Sequence, residues 1–373
     1  MASAGIQTKG EGLTPMIWSD MYFRLGSKTH DYYDLNWRIP ADVIKKIPRG
    51  VELVYWDYYH DSPDFYRKMI AFHRKLGSEP IMGGGIWTWG IQWCALHWSL
   101  TAVNACMTAC REEGLKEVFM TLWGDDGAEC DPFSALPGIQ YFCELAFDPR
   151  ADKAQAARHF RATCGCDYEP WFRAADINTV PLVKDPARSW VNTAKGLLFQ
   201  DPMLPILDAH IVARKDLAPH YATLAKELQK ASRQGGVADH LRYPALIAQV
   251  LSHKVNLRSR LAAAYQAGDR RKLRVLRDRD LRAVRRATEA LWKHHRSLWM
   301  SNYHPCGWEV LEHRYGGLLA RLDTLAERLT TYLDGRLAAI PELTEKILNP
   351  WPGVKDTVVS IHHAGVKTPS CIK

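Results

Sequence analysis

The chain has no run of ~18 consecutive apolar residues, the length a helix needs to cross a bilayer, so no membrane span is expected. Its opening, MASAGIQTKGEGLTP, lacks the apolar stretch of a signal peptide, and residues 1–14 read as a polar, glycine-rich, disordered lead-in. There is no disulfide framework either. The nine cysteines (Cys94, Cys106, Cys110, Cys130, Cys143, Cys164, Cys166, Cys306 and Cys371) are odd in number and irregular in spacing, which points to a reducing, cytoplasmic compartment. Cys164 and Cys166 are too close for a zinc knuckle and have no second pair. Cys106 and Cys110, one helical turn apart, read as buried thiols. His60, His73 and His97 are isolated, so no metal and no cofactor are expected. Gly83-Gly84-Gly85 is not followed by Lys-Ser/Thr and lacks the GxGxxG spacing, so it reads as a close approach of backbone to a ligand or a neighbouring strand.

What is abundant is aromatic. The chain carries 14 Trp and 15 Tyr among 373 residues, with ordinary apolar (47%) and charged (24%) fractions. Many of these rings fall in four short stretches: Met16 to Asp20, Val51 to Tyr59 (VELVYWDYY), Ile81 to Trp89 (IMGGGIWTW) and Val118 to Asp126 (VFMTLWGDD). Each opens apolar and closes on aromatics or carboxylates. Pairs stand two positions apart: Trp18 with Asp20, Tyr55 with Asp57, Trp87 with Trp89, Trp123 with Asp125. In a strand such pairs share a face. Tyr55 and Asp57 are therefore expected to share a face with Val51 and Leu53 and, if the sheet curls, to point into a barrel mouth, at the strand ends where (β/α) barrels place their chemistry. Aromatic walls with carboxylates between them suit a sugar: rings cover its C–H faces and carboxylates accept from its hydroxyls.

Strands are expected at 15–19, 51–57, 80–89 and 117–123, with helices at 40–47, after Ser62-Pro63-Asp64, and over about 92–113. The spacing is that of βα units. The fold class is thus α/β: a partial (β/α) TIM-type barrel of about four βα units over 15–149, then an all-α domain over 150–349 and a tail over 350–373. Helices are expected in the second part at about 152–163, 202–213, 216–233, 239–266, 269–299 and 308–335. Arg258 to Arg286 is strongly basic, yet Leu273, Leu276, Val284, Ala287 and Leu291 form a core stripe and Asp269, Asp278, Asp280 and Glu289 supply counter-charges. A solvated helix face is the reading adopted, and a nucleic-acid partner is not expected.

Trp123-Gly124-Asp125-Asp126-Gly127-Ala128-Glu129 crowds three carboxylates on a turn that Gly124 and Gly127 permit, which marks a binding site.

The runs PMIWSDMYFRL, VYWDYY, IWTWG and TLWGDDGAE resemble the second half of the catalytic barrel of family 20 glycoside hydrolases, the β-N-acetylhexosaminidases, and Gly307 to Gly317 (GWEVLEHRYGG) resembles the helical C-terminal domain of a bacterial subgroup. The resemblance spans roughly 12–335. It implies that Trp18 and one or both of Trp87 and Trp89 wall the N-acetyl pocket. Tyr55 would donate to the acetamido oxygen, Asp57 and Asp125 would bind hydroxyls, and Trp123 would stack beneath the ring. Tyr55, Asp57 and Asp125 are the catalytic candidates; Asp20, Asp126 and Glu129 join the four tryptophans as substrate-binding candidates.

The resemblance further implies a substrate-assisted route on an N-acetyl-hexosamine glycoside, in which the acetamido oxygen attacks the anomeric carbon while an Asp-Glu pair orients it and protonates the leaving oxygen. No Asp-Glu dipeptide occurs in the sequence. The family's pair lies upstream of the WSD strand, and four βα units leave sheet edges and an apolar interior open. A homo-oligomer is expected to complete the structure, the alternatives being a missing N-terminal half barrel or cover of the open side by the helical domain.

Overall fold

A computed structural model describes residues 13–181, 185, 187, 191–211 and 216–347. The tail expected over 350–373 and all but Leu13 and Thr14 of the lead-in lie outside them. The described chain is mostly helical with one small sheet, and it forms two compact units. The first contains 1–87, 96–122 and 138–156. The second contains 88–95, 123–137 and 157–373. Two loops from the first half of the chain thus belong to the mainly helical unit. Among the described residues no helix is long and apolar enough to cross a membrane.

In the first unit, β1 (Met16–Trp18), β2 (Glu52–Trp56), β3 (Ile81–Gly85) and β4 (Val118–Thr121) form a parallel sheet in that order. Register runs Trp18 to Val54, Tyr55 to Met82 and Gly84 to Met120. Helix α1 (Asp20–Gly26) follows β1, α2 (Pro63–Lys75) links β2 to β3, and α3 (Leu96–Glu112) lies between β3 and β4. The Ser62-Pro63 signal starts α2 as expected, Pro losing no helical bond at that position. Gly77, at φ 87°, closes it where a side chain would be strained.

Alternation decides what each sheet face buries. Ile17, Leu53, Tyr55, Met82 and Met120 face the helices and pack with Tyr66, Met69 and Ile70 of α2 and Ala105, Cys106, Ala109 and Cys110 of α3. Tyr66 and Ile70 are wholly buried, worth roughly 1.5–3 kcal/mol for an aliphatic side chain such as Ile70. The buried-thiol reading of Cys106 and Cys110 holds; their mutual hydrogen bond, with burial, pushes the Cys106 thiol well up.

Helices α4 (Leu136–Phe147) and α5 (Lys153–Cys164) each have residues in both units, and the second unit then holds α6 (Glu169–Ala175). Then come α7 (Thr193–Phe199), α8 (Leu217–Ala231) and α9 (Arg242–Lys254). Helix α9 is buried nearly all round, from Tyr243 through Ile247 to Leu251, and packs on α8. The helix expected over 239–266 is two, because the chain breaks at Asn256 before α10 (Leu257–Gln266). Of the helix expected over 202–213, the described residues contain only the short Asp208–Ile211.

The stretch 269–299 is α11 (Arg270–Val275), a π-helical turn at Leu276–Leu281, and α12 (Arg282–Asn302); α13 (Trp308–Leu333) follows. The predicted stripe Leu273, Leu276, Val284, Ala287 and Leu291 is buried. On the basic face Arg260 pairs with Asp280, Arg277 with Asp278, and Arg285 with Asp323 and Glu289.

Candidate functional site

Trp18, Asp20, Tyr55, Asp57 and Trp87 fall in the first unit. Trp89, Trp123, Asp125, Asp126 and Glu129 fall in the second.

In the first unit the pairing by twos holds at one strand. Tyr55 and Asp57 do share a face, and the Tyr55 hydroxyl donates to Asp57 Oδ2 at 2.7 Å. The face is the helix-covered one, however, and not an open mouth: Tyr55 is 2% exposed and Asp57 fully buried. The Asp57 carboxylate also accepts from Tyr59 N at 2.9 Å and meets His60 Nδ1 at 2.8 Å. Burial first, then the Asp57 charge, pushes the Tyr55 hydroxyl well above the usual phenol range, so it stays a donor. A buried carboxylate with this many partners is satisfied.

Trp18 and Asp20 are not a strand pair. The Ser19 carbonyl already accepts from Tyr22 N, so β1 stops at Trp18 and Asp20 opens α1. The β3 ladder likewise ends before Trp87. Ile86 N makes the last main-chain bond, to Thr121 O, and Trp87 N donates to the Ser99 hydroxyl instead. Trp87 stands edge-on to Tyr58 and Tyr59, at 6.1 and 5.5 Å between centroids.

The opposite sheet face is the aromatic one. Trp18 lies 6.4 Å from Trp56 and 6.1 Å from Phe119, and Trp56 lies 5.3 Å from Tyr58. Trp18 is 41% exposed and Met16 56%. The glycine run lets these rings lie against β3. A Cβ at Gly83 would sit 3.1 Å from Trp18 and one at Gly85 would sit 2.5 Å from Tyr58. The close-approach reading of Gly83 to Gly85 is thus the structural one. Trp56, Tyr58 and Phe119 were missed, although a shift of one residue along VELVYWDYY separates the open face from the covered one.

In the second unit the two loops are stitched together. Thr88 Oγ1 donates to Trp123 O at 2.9 Å, Gly90 N to Asp125 O at 3.0 Å, and Asn192 Nδ2 to Gly90 O at 2.9 Å. Trp89 is buried and Trp123 half-buried. Because β4 ends at Thr121, Trp123 and Asp125 sit on a turn rather than a strand. That turn runs through three left-handed residues: Asp126 at φ 59°, Gly127 at 105° and Ala128 at 49°.

Its three carboxylates differ. Asp125 is exposed. The Asp126 and Glu129 side chains are 4% and 1% exposed and lie between two cations. Lys195 Nζ, fully buried, lies 2.7 Å from Asp126 Oδ2, donates to Asp126 O at 2.7 Å and lies 3.4 Å from Glu129 Oε2. Arg314 of α13 reaches Glu129 Oε1, Asp126 O at 3.2 Å and Asp126 Oδ1 at 3.4 Å. Of the turn's three carboxylates, Asp126 and Glu129 are thus held in ion pairs while Asp125 faces solvent. Two acids and two bases cancel, which makes their burial tolerable.

Farther along, the Tyr243 hydroxyl donates to Glu129 O at 3.0 Å, and Asp131 Oδ2 meets His240 Nδ1 at 2.6 Å. Sequence reasoning had marked the GWEVLEHRYGG stretch that carries Arg314 but not the residue's role. Lys195 stands in no recognisable motif.

Residues 169–360, more than half the chain, match the Glycoside Hydrolase 20C C-terminal domain. Compared with curated proteins, the chain finds no match. The chain therefore belongs to glycoside hydrolase family 20, through the C-terminal domain of its 20C group.

Proposed function

We propose that the chain recognises a terminal β-linked N-acetyl-hexosamine, of gluco or galacto configuration, and works as a β-N-acetylhexosaminidase-like glycoside hydrolase by the substrate-assisted, retaining route. The observation that carries this is the exposed Asp125 carboxylate, held on a rigid turn two residues after Trp123, in a member of this family. Asp125 accepts hydrogen bonds from ring hydroxyls, and Trp123 offers a ring face to the C–H side of the sugar. The acetamido oxygen then attacks the anomeric carbon as an acid protonates the departing oxygen, and water opens the oxazolinium with overall retention. Asp126 and Glu129 are not offered as that acid, since both are neutralised by Lys195 and Arg314. None of the eight described cysteines is in a disulfide, and a reducing, cytoplasmic setting is part of the proposal.

Incubation with a chromogenic β-N-acetylglucosaminide tests the proposal. Release blocked by a thiazoline inhibitor supports hydrolysis. N-acetylglucosamine binding without release instead supports a recognition module, the reading favoured by the lack of an Asp-Glu dipeptide. The absence of both binding and release overturns the proposal.

As part of the same proposal, a second copy covers the aromatic sheet face of the first unit. A parallel sheet ordinarily has both faces covered, and here Met16 and Trp18 stay exposed. A two-fold axis along the strands keeps all strands parallel and sets β4 of one copy beside β1 of the other, closing four plus four strands as a barrel. Light scattering at micromolar concentration decides: a dimer is expected, and a monomer overturns it.

A further inference from the structure

We propose that Lys195 and Arg314 are positioning residues for Asp125, so that the C-terminal helical unit sets the geometry with which the sugar is held. The proposal rests on the sugar-recognition reading of Asp125, and it concerns how that carboxylate is kept in place.

The turn from Asp126 to Ala128 takes three consecutive left-handed conformations, two of them at residues with side chains. Such a backbone persists only where its surroundings over-determine it. Here the surroundings are identifiable. Lys195 Nζ and Arg314 Nη1 both donate to one main-chain oxygen, that of Asp126, at 2.7 and 3.2 Å. This fixes the plane of the Asp126–Gly127 peptide.

The same two cations bind the Asp126 and Glu129 carboxylates, so the side chains anchor the turn at both ends. Gly127 is held under the guanidinium so closely that a Cβ there would lie 2.9 Å from Arg314 Nη1. On the near side, Gly90 N–H holds the Asp125 carbonyl. Asp125 is left with its main chain fixed and its carboxylate in solvent. Charge balance matters as much as geometry. With two cations for two buried carboxylates the turn is neutral, and Asp125 keeps the only uncompensated charge of the three. Without Arg314, Asp126 and Glu129 would repel each other and strain the turn open.

The test uses the full chain as wild type, Arg314→Met and Arg314→Lys. Two quantities are read: amide exchange at Ala128 N–H, which bonds Gly124 O at 2.9 Å, and affinity for N-acetylglucosamine. In Arg314→Met, Ala128 exchange accelerates and affinity falls about tenfold or more, in line with the cost of a displaced contact group. Arg314→Lys keeps the charge without the forked grip, and both effects are partly reversed.

If Arg314→Met fails to fold, Arg314→Lys decides: reduced protection together with reduced affinity supports the proposal, and wild-type values of both overturn it. Lost affinity with Ala128 still protected also overturns it, since Arg314 would then act on the sugar itself. A wild-type chain that does not bind N-acetylglucosamine removes the sugar reading, while the exchange data still decide the positioning.

Discussion

The Tyr55 hydroxyl donates to Asp57 Oδ2 at 2.7 Å inside the helix-covered core, so the VYWDYY strand presents its hydroxyl and carboxylate to each other. Tyr55→Phe keeps the ring and removes one of the Asp57 donors. A loss of about 1–3 kcal/mol is expected from urea unfolding, the cost of a buried acceptor short of a partner. Affinity for N-acetylglucosamine is expected to stay within a factor of about two, far below a tenfold change at ~1.4 kcal/mol. A selective loss of affinity at full stability would return Tyr55 to the substrate.

Asp125→Ala should have the opposite profile. The side chain is exposed, so stability changes by less than about 0.5 kcal/mol. Sugar binding and any turnover drop by at least about tenfold, since a charge-assisted hydrogen bond is worth roughly 1.5–3 kcal/mol. Retained turnover with an unchanged fold would end the role given to Asp125.

The glycines of β3 offer a paired comparison. A methyl at Gly84 meets the flexible end of Met120, 2.6 Å from its Cε, whereas one at Gly85 meets the ring of Tyr58, at 2.5 Å from Cδ1 and 2.9 Å from Cγ. Tyr58 is buried and cannot swing aside as Met can. Gly85→Ala should therefore cost more than Gly84→Ala, by about 1 kcal/mol within the usual 1–3 kcal/mol of overpacking. Thermal melts of the two variants rank them.

Acid should weaken the first unit through His73. Its Nδ1–H donates to Met69 O at 2.7 Å, and Nε2 lies 2.6 Å from Ser19 Oγ. Burial pulls the imidazole down to about 4. The unfolded chain takes up a proton near pH 6.5, while the folded chain resists until about pH 4. Stability is therefore unaffected above pH 6.5 and falls as pH drops through that window, by about 3 kcal/mol from this group. In His73→Gln the urea midpoint should fall by correspondingly less between pH 7 and pH 4. An identical fall in both proteins would contradict this.

The element order was legible because it rests on local signals: β-branched and aromatic runs, the Ser62-Pro63 start, and Gly77 at the end of α2. Strand ends were read too long. Trp87 leaves the ladder for the Ser99 hydroxyl, a partner 12 positions away that no periodicity announces. Which face of β2 is covered was equally hidden, since alternation fixes that Tyr55 and Asp57 agree with each other but not on which side the helices lie. The acidic turn was found by composition, yet its division into one exposed and two neutralised carboxylates depends on Lys195 and Arg314. Those partners lie 69 and 188 positions downstream of Asp126, beyond the reach of any local pattern.

That separation has a consequence for synthesis. The chain passes from one unit to the other five times, and Arg314 stands 188 positions beyond the Asp126 carbonyl it holds. As the polypeptide leaves the ribosome, the sheet strands are all present long before the last anchor of the turn. Non-local closure of this kind is slow, because loop entropy is spent before the contact repays it. The nascent turn must therefore wait, loose and acidic, until α13 has emerged, and any chain that stops short of Arg314 carries Asp125 without the grip that aims it.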